Sequence, residues 1–136
     1  MRFSLEHSKK GYLSMIKGIN LSKTECPKTT LERMRMKDIP YASTIGSIMY
    51  AMIRTRSDVS QALTFTSRYQ SDPGEKHWMA AKAILKYLRR TKDEFLIYGE
   101  GDITIRGYTD ASFQSDKDDF KSQSGFIYVF NGRAVC

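Results

Sequence analysis

The amino-acid sequence predicts an α+β fold, a small bundle of helices followed by the first antiparallel strands of an incomplete sheet. Three observations carry this. Apolar residues recur at helical spacing between residues 41 and 91, and the period switches to two after residue 95. Asn131-Gly132 then interrupts the last alternating stretch, where a tight hairpin turn is wanted.

Size and composition set the bounds. A chain of 136 residues suits one modest domain or pieces of two, and 40% hydrophobic with 12% aromatic content is enough for a packed core. No run of about 18 apolar residues is present, which excludes a membrane-spanning helix. The opening Met1-Arg2-Phe3-Ser4-Leu5-Glu6-His7 reaches charge too soon for a secretory signal. Cys26 and Cys136 lack metal spacing, and with only His7 and His77 beside them a zinc site is not expected.

Residues 1–40 are expected to form short strands and a linker. Arg2-Phe3-Ser4-Leu5 and Tyr12-Leu13-Ser14-Met15-Ile16 alternate, broken by Ser8-Lys9-Lys10-Gly11 and by Gly18. Lys23 through Pro40 mixes Lys, Thr, Glu and Arg around Pro27 with few apolar anchors, so it reads as an excursion over the surface, outside any core.

Residues 41–94 read as helical. Ile45, Ile48, Met49 and Met52 make one apolar face. Ser57 with Asp58 is placed to cap a second helix carrying Val59, Ala62, Leu63 and either Thr66 or Phe65. Asp72-Pro73-Gly74-Glu75 is a start signal for a third, with Asp72 as the capping carboxylate and Glu75 reaching back to it. Trp78, Ala81, Ile84, Leu85 and Leu88 then form its stripe, with Lys82, Lys86, Arg89 and Arg90 towards the C-terminal end, where cations suit the helix dipole.

Residues 95–136 read as strands: Phe95-Leu96-Ile97-Tyr98, then Ile103 through Asp110, then Gly125 through Phe130, and Arg133 through Cys136 after the turn. Strands without a helix over one face are not a stable unit, so the sequence is expected to be cut off within a domain.

Charge is unevenly spread. The net charge is +7; residues 1–70 hold 12 bases against 5 acids, whereas residues 71–136 hold 10 of each. Asp102, Asp110, Asp116, Asp118 and Asp119 make 101–120 acidic. A basic half beside an acidic edge suits a protein that holds a polyanion and sets carboxylates, with cations, against it; ordinary surface charge explains it equally well. Asp110 closes a strand and is followed by Ala111-Ser112, a place from which a carboxylate can reach a hard divalent cation. Taken alone, a turn-capping aspartate explains it better, and solvated turn residues explain Asp116, Asp118 and Asp119. Arg54, Arg56, Arg68, Lys82 and Lys86 are candidate phosphate contacts, each also explicable as a solvated face. Trp78 and Tyr69 could stack on bases, but their spacing fits helix packing better.

The motifs resemble a known family. Tyr41-Ala42-Ser43-Thr44-Ile45-Gly46-Ser47-Ile48-Met49-Tyr50-Ala51, Thr55-Arg56-Ser57-Asp58-Val59, Ser67 through Gly74, and His77-Trp78 leading to Ile84-Leu85-Lys86-Tyr87-Leu88 are similar to the segment after the polymerase active site of copia-type LTR retrotransposon Pol polyproteins. Gly107-Tyr108-Thr109-Asp110-Ala111-Ser112 and Lys121-Ser122-Gln123-Ser124-Gly125-Phe126 resemble the opening of that polyprotein's ribonuclease H domain. Ser57 departs from the proline usual in the family.

The resemblance implies that residues 1–40 close the reverse transcriptase and that 41–94 are thumb- or connection-like helices lying along a primer–template duplex. It makes 95–136 a truncated ribonuclease H-like region. It also implies that Asp110 is the first carboxylate of a cluster that holds magnesium in the complete enzyme, the other members falling beyond Cys136. The Tyr-Val-Asp-Asp polymerase motif is absent from the sequence. The expected partners are an RNA–DNA hybrid, bound weakly, and the remainder of the Pol polyprotein; the expected location is cytoplasmic, in a virus-like particle, or nuclear.

Overall fold

The computed structural model describes residues 11–95, 97, 103–112, 118 and 121–135. The chain divides into two compact units, Met1–Asp93 and Glu94–Cys136. The first contains α1 (Thr30–Lys37), α2 (Tyr41–Arg54), α3 (Ser60–Ser67) and α4 (Glu75–Arg90), with single 3₁₀ turns at Lys23–Glu25 and Ser57–Val59. The second contains β1 (Ile105–Ser112), β2 (Gln123–Phe130) and β3 (Arg133–Ala134) in one antiparallel sheet of order β1-β2-β3. The architecture is α+β.

The helical core is built by the expected faces. Ile45 and Ile48 of α2, Ala62 and Leu63 of α3, and Ala81 and Ile84 of α4 are buried together with Tyr41 and Val59; Met52, Trp78, Leu85 and Leu88 pack against them. Met49, at the margin of the α2 face, is exposed. Of the two alternatives on α3, Thr66 is buried and satisfies its hydroxyl on the Ala62 carbonyl at 3.0 Å. Tyr41 donates its phenol to the Thr66 carbonyl at 2.8 Å, and burial pushes that hydroxyl well above its ordinary pKa.

Both expected caps are displaced. Asp58 lies in the 3₁₀ turn and α3 begins after Val59 with no side-chain cap, because the Asp58 carboxylate is taken by Arg56. The cap of α4 is Gly74, two residues after Asp72: its N–H donates to Nδ1 of His77 at 2.9 Å. Gly74 is needed there by close approach, since a Cβ would run into the Glu25 carbonyl oxygen.

The expectation that the linker over 23–40 lies outside any core is corrected. Thr29 and Glu32 form a capping box, the hydroxyl accepting from the Glu32 N–H at 3.2 Å and the carboxylate accepting from the Thr29 N–H at 3.0 Å. The backbone N–H groups of Thr29 and Lys28 hold the Glu32 carboxyl below its usual pKa. The resulting helix, α1, buries Met36, and Ile39 packs on the core. No strand forms at residues 12–16, and the alternation at residues 2–5 lies outside the described residues.

In the sheet, Asp110 stands opposite Gly125 and Tyr108 opposite Ile127. Asn131 and Gly132 take φ of 45° and 77°, the two left-handed positions of a primed hairpin turn. Asn131 also binds Thr104, its N–H donating to the carbonyl at 3.0 Å and its Oδ1 accepting from the amide at 2.9 Å. The strand expected over residues 95–98 falls largely outside the described residues, as do Asp102, Asp116 and Asp119.

Candidate nucleic-acid interface

Helical periodicity sets Lys82 and Lys86 one turn apart on α4, on a face separate from its buried stripe. With Met79 and Ala83 of that helix, and Gly11, Leu13 and Ile16 of the preceding segment, they line an open groove of about 370 Å³. The Gly11 N–H donates to the Lys86 carbonyl at 3.3 Å, fastening that segment to the helix. The Lys82 ammonium lies 5.7 Å from the Trp78 ring centre, and the Arg90 guanidinium stacks 4.4 Å over the exposed Tyr12 ring. The Arg90–Tyr12 pair escapes a motif search, because it joins residues far apart in the chain.

The other candidate cations are dispersed. Arg54 closes α2, exposed, with its guanidinium over Tyr50, and Arg68 caps α3 over Phe65. Arg56 is turned inward. Its Nε and one terminal nitrogen reach the two Asp58 oxygens at 2.9 and 2.8 Å, and the same terminal nitrogen donates to Thr91 Oγ at 2.7 Å. Tyr87 completes the network by donating its hydroxyl to Asp58 at 2.7 Å, with the Arg56 guanidinium 5.3 Å from its ring centre. The hydrogen bond from Arg56 holds the Asp58 carboxyl below its ordinary pKa, and the Asp58 carboxylate raises that of Tyr87. Arg56 thus joins the start of α3 to the end of α4, a structural role that leaves its guanidinium little freedom to meet a phosphate.

The aromatic candidates are packing residues. Trp78 is tilted at 60° to Tyr41 with centroids 6.4 Å apart, and Tyr69 is buried against His77. Asp110 lies near the end of β1 on an exposed face shared with Arg106 and Tyr108. Among the described residues no group of three or more His, Cys, Asp or Glu side chains converges as a metal centre. Asp110 offers a single exposed carboxylate on that face, while magnesium keeps several waters and is held through one or two carboxylates, so a site there would need its further ligands from outside the described residues. Among them, also, no helix is long and apolar enough to cross a membrane.

No family model matches the chain, and no solved structure matches it. Curated relatives do. Over 134 residues, 98% of the chain, it is 40% identical to the retrovirus-related Pol polyprotein from transposon TNT 1-94 of Nicotiana tabacum. It is 35% identical over 104 residues to that from transposon RE2 of Arabidopsis thaliana. These are the polyproteins of mobile elements, and the agreement runs through both units of the fold. The chain belongs to the copia-type retrotransposon Pol polyprotein family. It spans about 10% of the length of the tobacco relative and 7% of the RE2 one. It is also 39% identical over 101 residues to the secreted RxLR effector protein 161 of Plasmopara viticola, covering 71% of that shorter protein.

Proposed function

We propose that this chain is the junction of reverse transcriptase and ribonuclease H in a Pol polyprotein, with the helical unit contributing electrostatic contacts to an RNA–DNA duplex. The paired lysines of α4, partly exposed along one open groove, carry this reading. Cations at this spacing match a polyanion and release its counterions on binding. Binding through so few charges is weak and falls steeply with salt. A titration of the purified chain with a fluorescent RNA–DNA hybrid at low and high salt tests it; affinity that does not change with salt would exclude the electrostatic contact.

Asp110 is read as the first carboxylate of a ribonuclease H-like sheet of which β1, β2 and β3 are the opening strands. Magnesium, when held by the full carboxylate set, would activate water and stabilise the leaving oxygen. Asp110 alone supplies one ligand, so the isolated chain is inactive, with the remainder of the polyprotein as its natural partner in a virus-like particle or the nucleus. Cleavage of the RNA strand by the isolated chain, lost in Asp110→Asn, would instead support a nuclease completed between chains.

A second reading, a protein-interaction scaffold, is favoured by one observation: the likeness extends over most of a much shorter protein, the secreted Plasmopara effector. Binding of a defined protein partner that survives nuclease treatment and high salt would separate it from the duplex reading.

A further inference from the structure

We infer that the groove between residues 11–16 and α4 seats an unpaired nucleotide, its base stacked on Tyr12 and its backbone carried by Lys82 and Lys86. The inference rests on the polyanion reading of this groove and names the feature of the nucleic acid that the groove recognises. Both walls belong to the helical unit. Gly11 lets them meet: its N–H donates to the Lys86 carbonyl, and a Cβ there would come within 3.0 Å of the Lys86 Cβ. Tyr12 follows directly, so the hydrogen bond that closes the groove also brings this ring to α4. The Arg90 guanidinium lies 4.4 Å from the ring centre and covers one face. Tyr12 is nevertheless 75% exposed, so its opposite face is turned to solvent.

The groove combines two chemistries. Lys82, Lys86 and Arg90 follow one another at four-residue steps, roughly 6 Å apart along the helix axis. Among the described residues that line the groove, no carboxylate opposes them. Beside these cations, Leu13, Ile16 and Met79 expose apolar surface. A paired duplex uses only the first of these chemistries. It offers phosphates, but the faces of its bases are already stacked on their neighbours, which leaves the apolar residues and the open face of Tyr12 without a match. An unpaired base presents a flat apolar face beside its own phosphate and matches both. An aromatic ring next to a cationic track is the arrangement that holds single strands without regard to sequence. Because Arg90 orients the ring before any ligand arrives, little side-chain freedom is lost on stacking. The groove therefore favours a hybrid that carries a single-stranded extension over a blunt one.

Three fluorescent probes test this by anisotropy with the full chain. They are a blunt RNA–DNA hybrid, the same hybrid with a single-stranded DNA extension of about ten nucleotides, and one whose extension is abasic. The two extensions carry equal charge and differ only in their bases, so their comparison needs no variant of the protein. The base-bearing extension should bind about tenfold more tightly than the abasic one. Tyr12→Ala should erase that difference and Tyr12→Phe should preserve it, both with the unfolding midpoint of the parent chain. Equal affinity for the two extensions, with salt-dependent binding of the blunt hybrid, would overturn the seat for a base and leave the duplex contact standing. A difference between the extensions that survives Tyr12→Ala would overturn the role of the ring. A difference that Tyr12→Ala removes, with the blunt hybrid bound indifferently to salt, would uphold the seat and exclude the duplex contact.

Discussion

His77 lies parallel to Tyr69, with ring centroids 4.0 Å apart and planes inclined by 12°, and both rings are buried. Besides this stack, the imidazole accepts the Gly74 N–H at Nδ1 and lies 3.2 Å from the Ser22 carbonyl at Nε2. A carbonyl only accepts, so these partners assign the proton to Nε2. One neutral side chain therefore caps α4 and ties down the segment around the first 3₁₀ turn. His77→Ala should cost about 3 kcal/mol, from the void and from the Gly74 N–H left without its acceptor. His77→Phe preserves the stack and should cost about 2 kcal/mol. Urea unfolding of the three proteins measures this, and equal midpoints would contradict the capping role.

Gly74 is under a separate constraint. With the Glu25 carbonyl oxygen where a Cβ would sit, Gly74→Ala must displace backbone rather than a flexible side chain. A loss of about 2–3 kcal/mol is expected, comparable to overpacking a core. The ion pair of Lys76 with Glu25, at 2.9 Å, spans the same junction but is half exposed, so Lys76→Ala should change stability by less than about 1 kcal/mol. Comparing the two thermal midpoints distinguishes steric fit from surface charge.

Asp58 supplies the pH dependence. Its carboxyl is held below the ordinary value of 3.8 mainly by the Arg56 hydrogen bond. A group whose pKa is depressed by folding contributes stability above its unfolded pKa and loses it as the pH falls through the lower folded value. Asp58→Asn should therefore cost about 1 kcal/mol at pH 7, a figure kept small because the side chain is 41% exposed. The difference from the parent chain should close towards pH 2. Denaturant midpoints taken at both pH values check it; a gap that persists in acid would show that packing, not charge, is responsible.

The sequence makes some of these features legible and hides others for definable reasons. The stripe of α4 is plain because Ala81 and Ile84 are placed at strict helical spacing and nothing competes with it, and the turn at Asn131-Gly132 because few dipeptides accept two left-handed residues. The helix α1 is hidden by its composition: Leu31 and Met34 are exposed and only Met36 is buried, leaving no stripe to read. Its signal is instead Thr29-Thr30-Leu31-Glu32, a capping box that a search for apolar anchors passes over. The inward turn of Arg56 is not legible, because Thr55-Arg56-Ser57-Asp58 looks like any solvated loop until Tyr87 and Thr91 are brought to it across the bundle. The cap of α4 shifts from Asp72 to Gly74 because the approach of residues 25–26 is tertiary information.

The contrast between Arg56 and the α4 lysines separates binding from folding. All are candidates for phosphate contact on charge alone, but Arg56 is spent on Asp58 and Thr91 while Lys82 and Lys86 line an open groove. Lys82→Gln with Lys86→Gln should leave the unfolding midpoint nearly unchanged and weaken RNA–DNA hybrid binding. It should also reduce the slope of log affinity against log salt by about two, near one for each phosphate contact removed. Arg56→Ala should do the reverse, costing about 2 kcal/mol in stability by leaving Asp58 without its charged donor and with only the Tyr87 hydroxyl, the salt slope of the folded protein being preserved. Fluorescence anisotropy across a salt series, at a temperature where both variants are folded, measures the slopes. An unchanged slope in the double lysine variant would move the polyanion contact away from α4.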